Sequence, residues 1–143
     1  MNDWRKELSG ILEGRARASR AEQENALFEN FLLQVAAPAL NELAEELRRH
    51  QRDAQVRTAP AAIQLVVRNN EVEEIAFRVL KRSSPNGLVP YAEVRLRKGL
   101  RLVKMESGMR DPPALPTLEE VVKEDVIACF LKHYRMVLDA EQT

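Results

Sequence analysis

This 143-residue chain has two imidazoles, His50 and His133, and one thiol, Cys129. Cys129 and His133 lie four residues apart, which on a helix puts two metal-ligating groups on one face. Structural zinc needs four ligands and catalytic zinc usually three, and no second Cys/His pair exists to complete either set. As nucleophile and base the pair would need a reachable substrate pocket, yet its neighbours Val126, Ile127, Phe130 and Tyr134 read as core. The paired carboxylates Glu45-Glu46, Glu73-Glu74, Glu119-Glu120 and Glu124-Asp125 are adjacent in sequence, so their side chains diverge and are expected as solvated charges. Asp125, set among valines, is expected to be held by Lys123, an arginine or a backbone group. Gly10, Gly14, Gly87, Gly99 and Gly108 form no phosphate-cradling turn, and no serine stands in a nucleophile elbow. The chemistry-bearing residues therefore point away from an enzyme: no catalytic residue, no cofactor and no metal site is expected.

Charge narrows the class further. Twenty-two basic and 22 acidic residues cancel, so the chain has no global field to draw it toward nucleic acid or membrane. The distribution is uneven: residues 61–110 carry 10 basic and 5 acidic groups, and residues 111–143 carry 3 and 7. A single cysteine cannot make an internal disulfide. The charges of Trp4-Arg5-Lys6-Glu7 interrupt any signal-peptide core, and no apolar run reaches the roughly 20 residues of a membrane helix. The expected address is cytoplasmic.

The hydrophobic period changes twice along the chain, from helical to about Arg52, to alternating between Ala61 and Glu106, and back to helical. That order specifies an α+β domain over residues 21–143: a long kinked N-terminal helix, a four-stranded antiparallel β-meander, and a C-terminal helix packed on the sheet. Residues 1–20 read as a short amphipathic or frayed segment, since Trp4, Leu8, Ile11 and Leu12 have helical spacing weakened by Gly10 and Gly14. From Ala21, Phe28, Leu32, Val35, Leu43 and Leu47 form a strong stripe. A straight helix to Arg52 would be about 48 Å long, against about 37 Å for a compact domain of this size, so it must bend, project or pack on a second subunit. Pro38 removes the hydrogen bond to the Gln34 carbonyl and predicts a kink at Gln34–Pro38.

Strand parity constrains the turns. Leu65 and Ile75 share a face only if Asn69-Asn70-Glu71 is a three-residue loop or a bulge corrects the register. The same reasoning pairs Leu96 with Leu100 and Val94 with Leu102 around an Arg97-Lys98-Gly99 loop. Three prolines between Met109 and Pro116 predict a stiff connector, and Thr117-Leu-Glu-Glu120 predicts a capping box opening the last helix.

Two surfaces remain. With the apolar set turned to the helices, the outer sheet face is expected to show Val66, Ala76, Leu80, Tyr91, Val103 and Met105 among Arg68, Arg78, Arg95 and Arg101, a mixture that protein interfaces favour. The stripe of Phe28, Leu32, Val35, Leu43 and Leu47 could bury against a second copy instead of its own sheet. The function expected is that of a non-enzymatic protein–protein interaction domain, adaptor or chaperone-like and homodimeric. The order of helix, meander and helix is similar to that of small dimeric adaptors and secretion chaperones, a likeness of architecture alone. The alternative is a nucleic-acid binder using the arginines of the outer face, with Tyr91 as its one aromatic platform.

Overall fold

The computed structural model describes residues 3–141. The ends of the two expected segments, residues 1–2 and 142–143, lie outside them. The chain forms α1 (Trp4–Phe31), a π-helical turn (Leu32–Ala36), α2 (Ala37–Arg49), β1 (Asp53–Ala59), β2 (Ala62–Asn69), β3 (Val72–Ser84), β4 (Gly87–Lys98), β5 (Arg101–Gly108) and α3 (Lys123–Glu141). The fold is α+β, with a long N-terminal helix, an antiparallel sheet and a C-terminal helix. The sheet has five strands rather than four, in the order β1-β2-β3-β4-β5. The extra strand is β1, whose only inward residues of any bulk are Ala54 and Val56. Its alternation is too weak to stand out from the loop expected there.

The regular α-helical ladder is interrupted where Pro38 demands it. Proline has no N–H for the Gln34 carbonyl, and the helix widens over Leu32–Ala36 so that the Ala37 N–H reaches back to the Leu32 carbonyl instead. Beyond the widening, α2 lies over β1 and β2 while α3 lies over β3 and β4, and the two helices pack on each other. Between sheet and α3, Phe77 meets Phe130 edge to face at 5.6 Å and Phe130 stacks on Tyr134 at 5.5 Å. α2 ends in a Schellman turn: Gln51 adopts φ 65° and the Arg52 N–H returns to the Leu47 carbonyl at 3.0 Å.

Two hairpins set the phase of the sheet. Asn70 and Glu71, both at positive φ, make a two-residue turn between Asn69 and Val72. That turn alone would put the wrong parity inward. A bulge corrects it: Arg68 pairs with Glu73 and Val67 with Ile75, leaving Glu74 unpaired in the ladder. Leu65 then faces Phe77, and Ile63 faces Val79.

The last hairpin corrects the expected register. Lys98 pairs with Arg101 around a two-residue Gly99-Leu100 turn, with Gly99 at φ 65° in its first position, where such turns take glycine. Val103 pairs with Leu96 and Met105 with Val94, so Val103 and Met105 face the core and Leu102 faces out. Arg101 shares the parity of Val103 and is not part of the outer face. Leu100, 97% exposed, belongs to no core.

α1 does not wrap the sheet. From Trp4 to Leu27 no residue is buried, and only Phe28 and Phe31 enter the core. Of the three outcomes open to an over-long helix, this one projects. The backbone is helical without interruption from Trp4 to Phe31.

Phe28, Leu32 and Leu43 are buried in the core of their own chain, with Val35 and Leu47 packed against it. Leu43→Asp is therefore expected to unfold the body, not to separate two folded copies, at a cost of at least about 3 kcal/mol. Chemical denaturation followed by circular dichroism checks this. An unchanged unfolding midpoint would contradict the placement of Leu43.

Candidate functional site

The bulge buries an acid, the one carboxylate buried among the described residues. Glu74 is turned inward and is 1% exposed. The Tyr134 hydroxyl donates to its Oε1 at 2.7 Å, and the Arg52 Nε–H donates to the same oxygen at 3.1 Å. Three elements are thereby tied together: the bulge of β3, the chain leaving α2, and α3. Oε2 has no hydrogen-bond partner among the described residues. Burial and the bond to Glu74 push the Tyr134 phenol up to about 12. A cleft of about 380 Å³ lies beside the cluster, walled by Leu43, Leu47, Phe130 and Leu138. Of the polar groups at its edge, Arg52 and Tyr134 are engaged by Glu74, and His50 lies 3.4 Å from Glu46.

The residues first considered for chemistry are placed as core. Cys129 and His133 are buried, and His133 Nδ1 lies 2.8 Å from the Cys129 carbonyl oxygen. Burial pushes the Cys129 thiol up, away from the thiolate that a nucleophile requires. Among the described residues no group of three or more His, Cys, Asp or Glu is placed to hold a metal ion.

Asp125 is held by an arginine and by backbone, two of the partners anticipated for it. Arg110 forks onto it at 3.2 and 3.0 Å and the Val122 N–H donates at 3.0 Å, with the Arg110 bonds holding its carboxyl below the usual range. The capping box at Thr117 is half formed. Glu120 accepts from the Thr117 N–H at 3.1 Å, but the Thr117 hydroxyl donates to the same carboxylate, and α3 begins only at Lys123. Among the described residues no helix is long and apolar enough to cross a membrane.

The outer sheet face is more balanced than its arginines suggest. Arg68, Arg78, Tyr91 and Arg95 do share it, by register with Gln55, Val66 and Ala76. Arg95 grips Glu73 through two 2.7 Å bonds, which lowers the Glu73 carboxyl, and Arg97 Nε donates to the Glu73 carbonyl at 2.8 Å. Arg82, passed over in the sequence reading, covers the Tyr91 ring at 4.2 Å and binds Glu106 at 2.8 Å. The one aromatic on this face is thus occupied by an arginine of its own chain. Arg78 and Lys104 extend from it without an ion pair among the described residues.

α1 presents the other surface. Asp3 caps it by accepting from the Lys6 N–H. At 100° per residue, Trp4, Leu8, Ile11 and Leu12 centre on a direction roughly opposite to Phe28 and Phe31, the residues that anchor the helix to the body. These four side chains are 46–62% exposed. An apolar stripe facing away from its own core cannot be covered by it.

Comparison with protein-family models, with curated proteins and with solved structures found no match to this chain.

The Glu74 cluster makes a test of the body. Tyr134→Phe leaves Glu74 one hydrogen bond poorer and is expected to cost about 1–3 kcal/mol near neutral pH. The wild-type phenol holds its proton more tightly folded than unfolded. That stabilisation is complete below about pH 10 and is lost as pH rises toward 12, on the order of 2–3 kcal/mol. The gap between wild type and Tyr134→Phe should therefore narrow between pH 10 and 12 in denaturant titrations. A gap independent of pH would contradict the cluster.

Proposed function

We propose that this chain is a non-enzymatic protein–protein interaction domain, adaptor or chaperone-like, in which the α+β body displays α1 as a binding arm. The observation that carries this reading is the outward stripe of Trp4, Leu8, Ile11 and Leu12. The first five turns of α1, ahead of the Glu24–Ser83 contact, form a helix that is marginal in water on its own, and Gly10 and Gly14 lower it further, so lateral packing is what would hold it. Large apolar side chains grouped on one projecting face are the anatomy of an interface.

Catalysis has no support from the side-chain geometry: the buried acid is engaged by Arg52 and Tyr134, and Cys129 and His133 are core. Nucleic-acid binding through the sheet is disfavoured because Arg82 and Arg95 are paired with carboxylates and Tyr91 is already covered. A cytoplasmic address fits a chain whose one cysteine is a buried free thiol.

A photo-crosslinking side chain placed in cells at position 8, on α1, or at position 78, on the outer sheet face, separates the two surfaces. Protein adducts are expected from position 8. Adducts from position 78 alone, or from neither, would overturn the arm.

A further inference from the structure

From the order of residues along the exposed face of α1, we propose that the arm's partner is the α1 of a second copy of this chain, paired antiparallel about Ala18–Ser19. The inference rests on the arm reading above and adds the identity and direction of the partner.

Followed toward the body, the face that bears Trp4, Leu8 and Ile11 continues through Arg15, then the small Ala18 and Ser19, then Glu22 and Ala26, and ends at the exposed Leu33. The order is apolar, basic, small, acidic, apolar. Turned end for end about Ala18–Ser19 it complements itself. Arg15 comes opposite Glu22 on both sides of the axis, Ile11 opposite Ala26, and Trp4 opposite Leu33.

Among the described residues neither Arg15 nor Glu22 has an ion pair within its own chain. Parallel pairing would set Arg15 against Arg15, Glu22 against Glu22 and Glu29 against Glu29, where like charges repel. The antiparallel pair has two symmetry-related poor layers, Leu8 opposite Glu29, against two charge-paired layers, Arg15 opposite Glu22. The small residues at the axis let the backbones approach closely.

The body leaves room for this partner. Phe28 and Phe31 join α1 to the body on the side away from the stripe, so a second helix meets solvent-facing surface along its whole length. The partner's Trp4 would arrive level with the exposed Leu33. A two-fold pair of this kind is isologous and closed, so assembly stops at two.

Single cysteines on exposed α1 positions test the direction, with the buried Cys129 left in place. Residue 19 and its mate meet at the axis, whereas residue 11 and its mate lie about 22 Å apart along the helix. Under mild oxidation Ser19→Cys is expected to form a disulfide-linked dimer and Ile11→Cys alone none. Ile11→Cys mixed with Ala26→Cys should link, and light scattering should give twice the chain mass. Self-linkage of Ile11→Cys would make the pair parallel and overturn the proposal. A dimeric mass without any of these disulfides would overturn it as well. A monomeric mass at every concentration would remove the second copy as partner, while adducts from position 8 would still mark α1 as an arm for another protein.

Discussion

A strand turns successive side chains to opposite faces, so a sheet with one oily face holds together only if all of its strands keep the same phase. Here the Asn70-Glu71 turn sets β3 one residue out of step with β2, and the bulge at Glu74 restores it. The correction leaves a carboxyl group under the helices. Burying it uncompensated would be costly, and Arg52 and Tyr134 meet it. Arg52 arrives there because the Schellman turn at Gln51 ends α2 and redirects the chain. The phase of the sheet, the end of α2 and the seating of α3 are thus one linked constraint.

That linkage closes the body without α1. Phe28 and Phe31 are its contribution to the core, and before them Glu24 meets Ser83 at the rim while no residue is buried. The core residues of the π-helical turn and α2, Leu32 and Leu43 among them, are packed in the core of their own chain. Surface available for a partner therefore lies on the arm and on the outer sheet face. The second of these has neutralised much of its charge internally, through Arg95 on Glu73 and Arg82 on Glu106.

The sequence was legible wherever a residue type has a narrow conformational meaning. Pro38 located the helical widening, the parity of Leu65 and Ile75 demanded the bulge as one of two solutions, and Gly99 marked a left-handed position. It misled where a second solution of equal local quality existed. A glycine-first two-residue turn and a three-residue turn both accommodate Gly99, and choosing the longer one reversed Val103, Met105 and Leu102. β1 was illegible because an edge strand with Ala54 and Val56 as its inward residues has little alternation to read. The burial of Glu74 could have been reached from Glu73-Glu74 itself: once a bulge is required there, one of two adjacent acids must turn inward. The outward stripe of α1 was visible as helical spacing. Its direction relative to Phe28 needed an unbroken helix, which Gly10 and Gly14 argued against.

The sole tryptophan, Trp4, reports on the arm directly. Its emission and its quenching by acrylamide, followed as the chain is concentrated, measure whether another copy covers the stripe. The account predicts a shift to shorter wavelength and loss of quenching over the range in which dimer forms. Emission and quenching that stay those of a solvent-exposed indole at the highest concentration would contradict it.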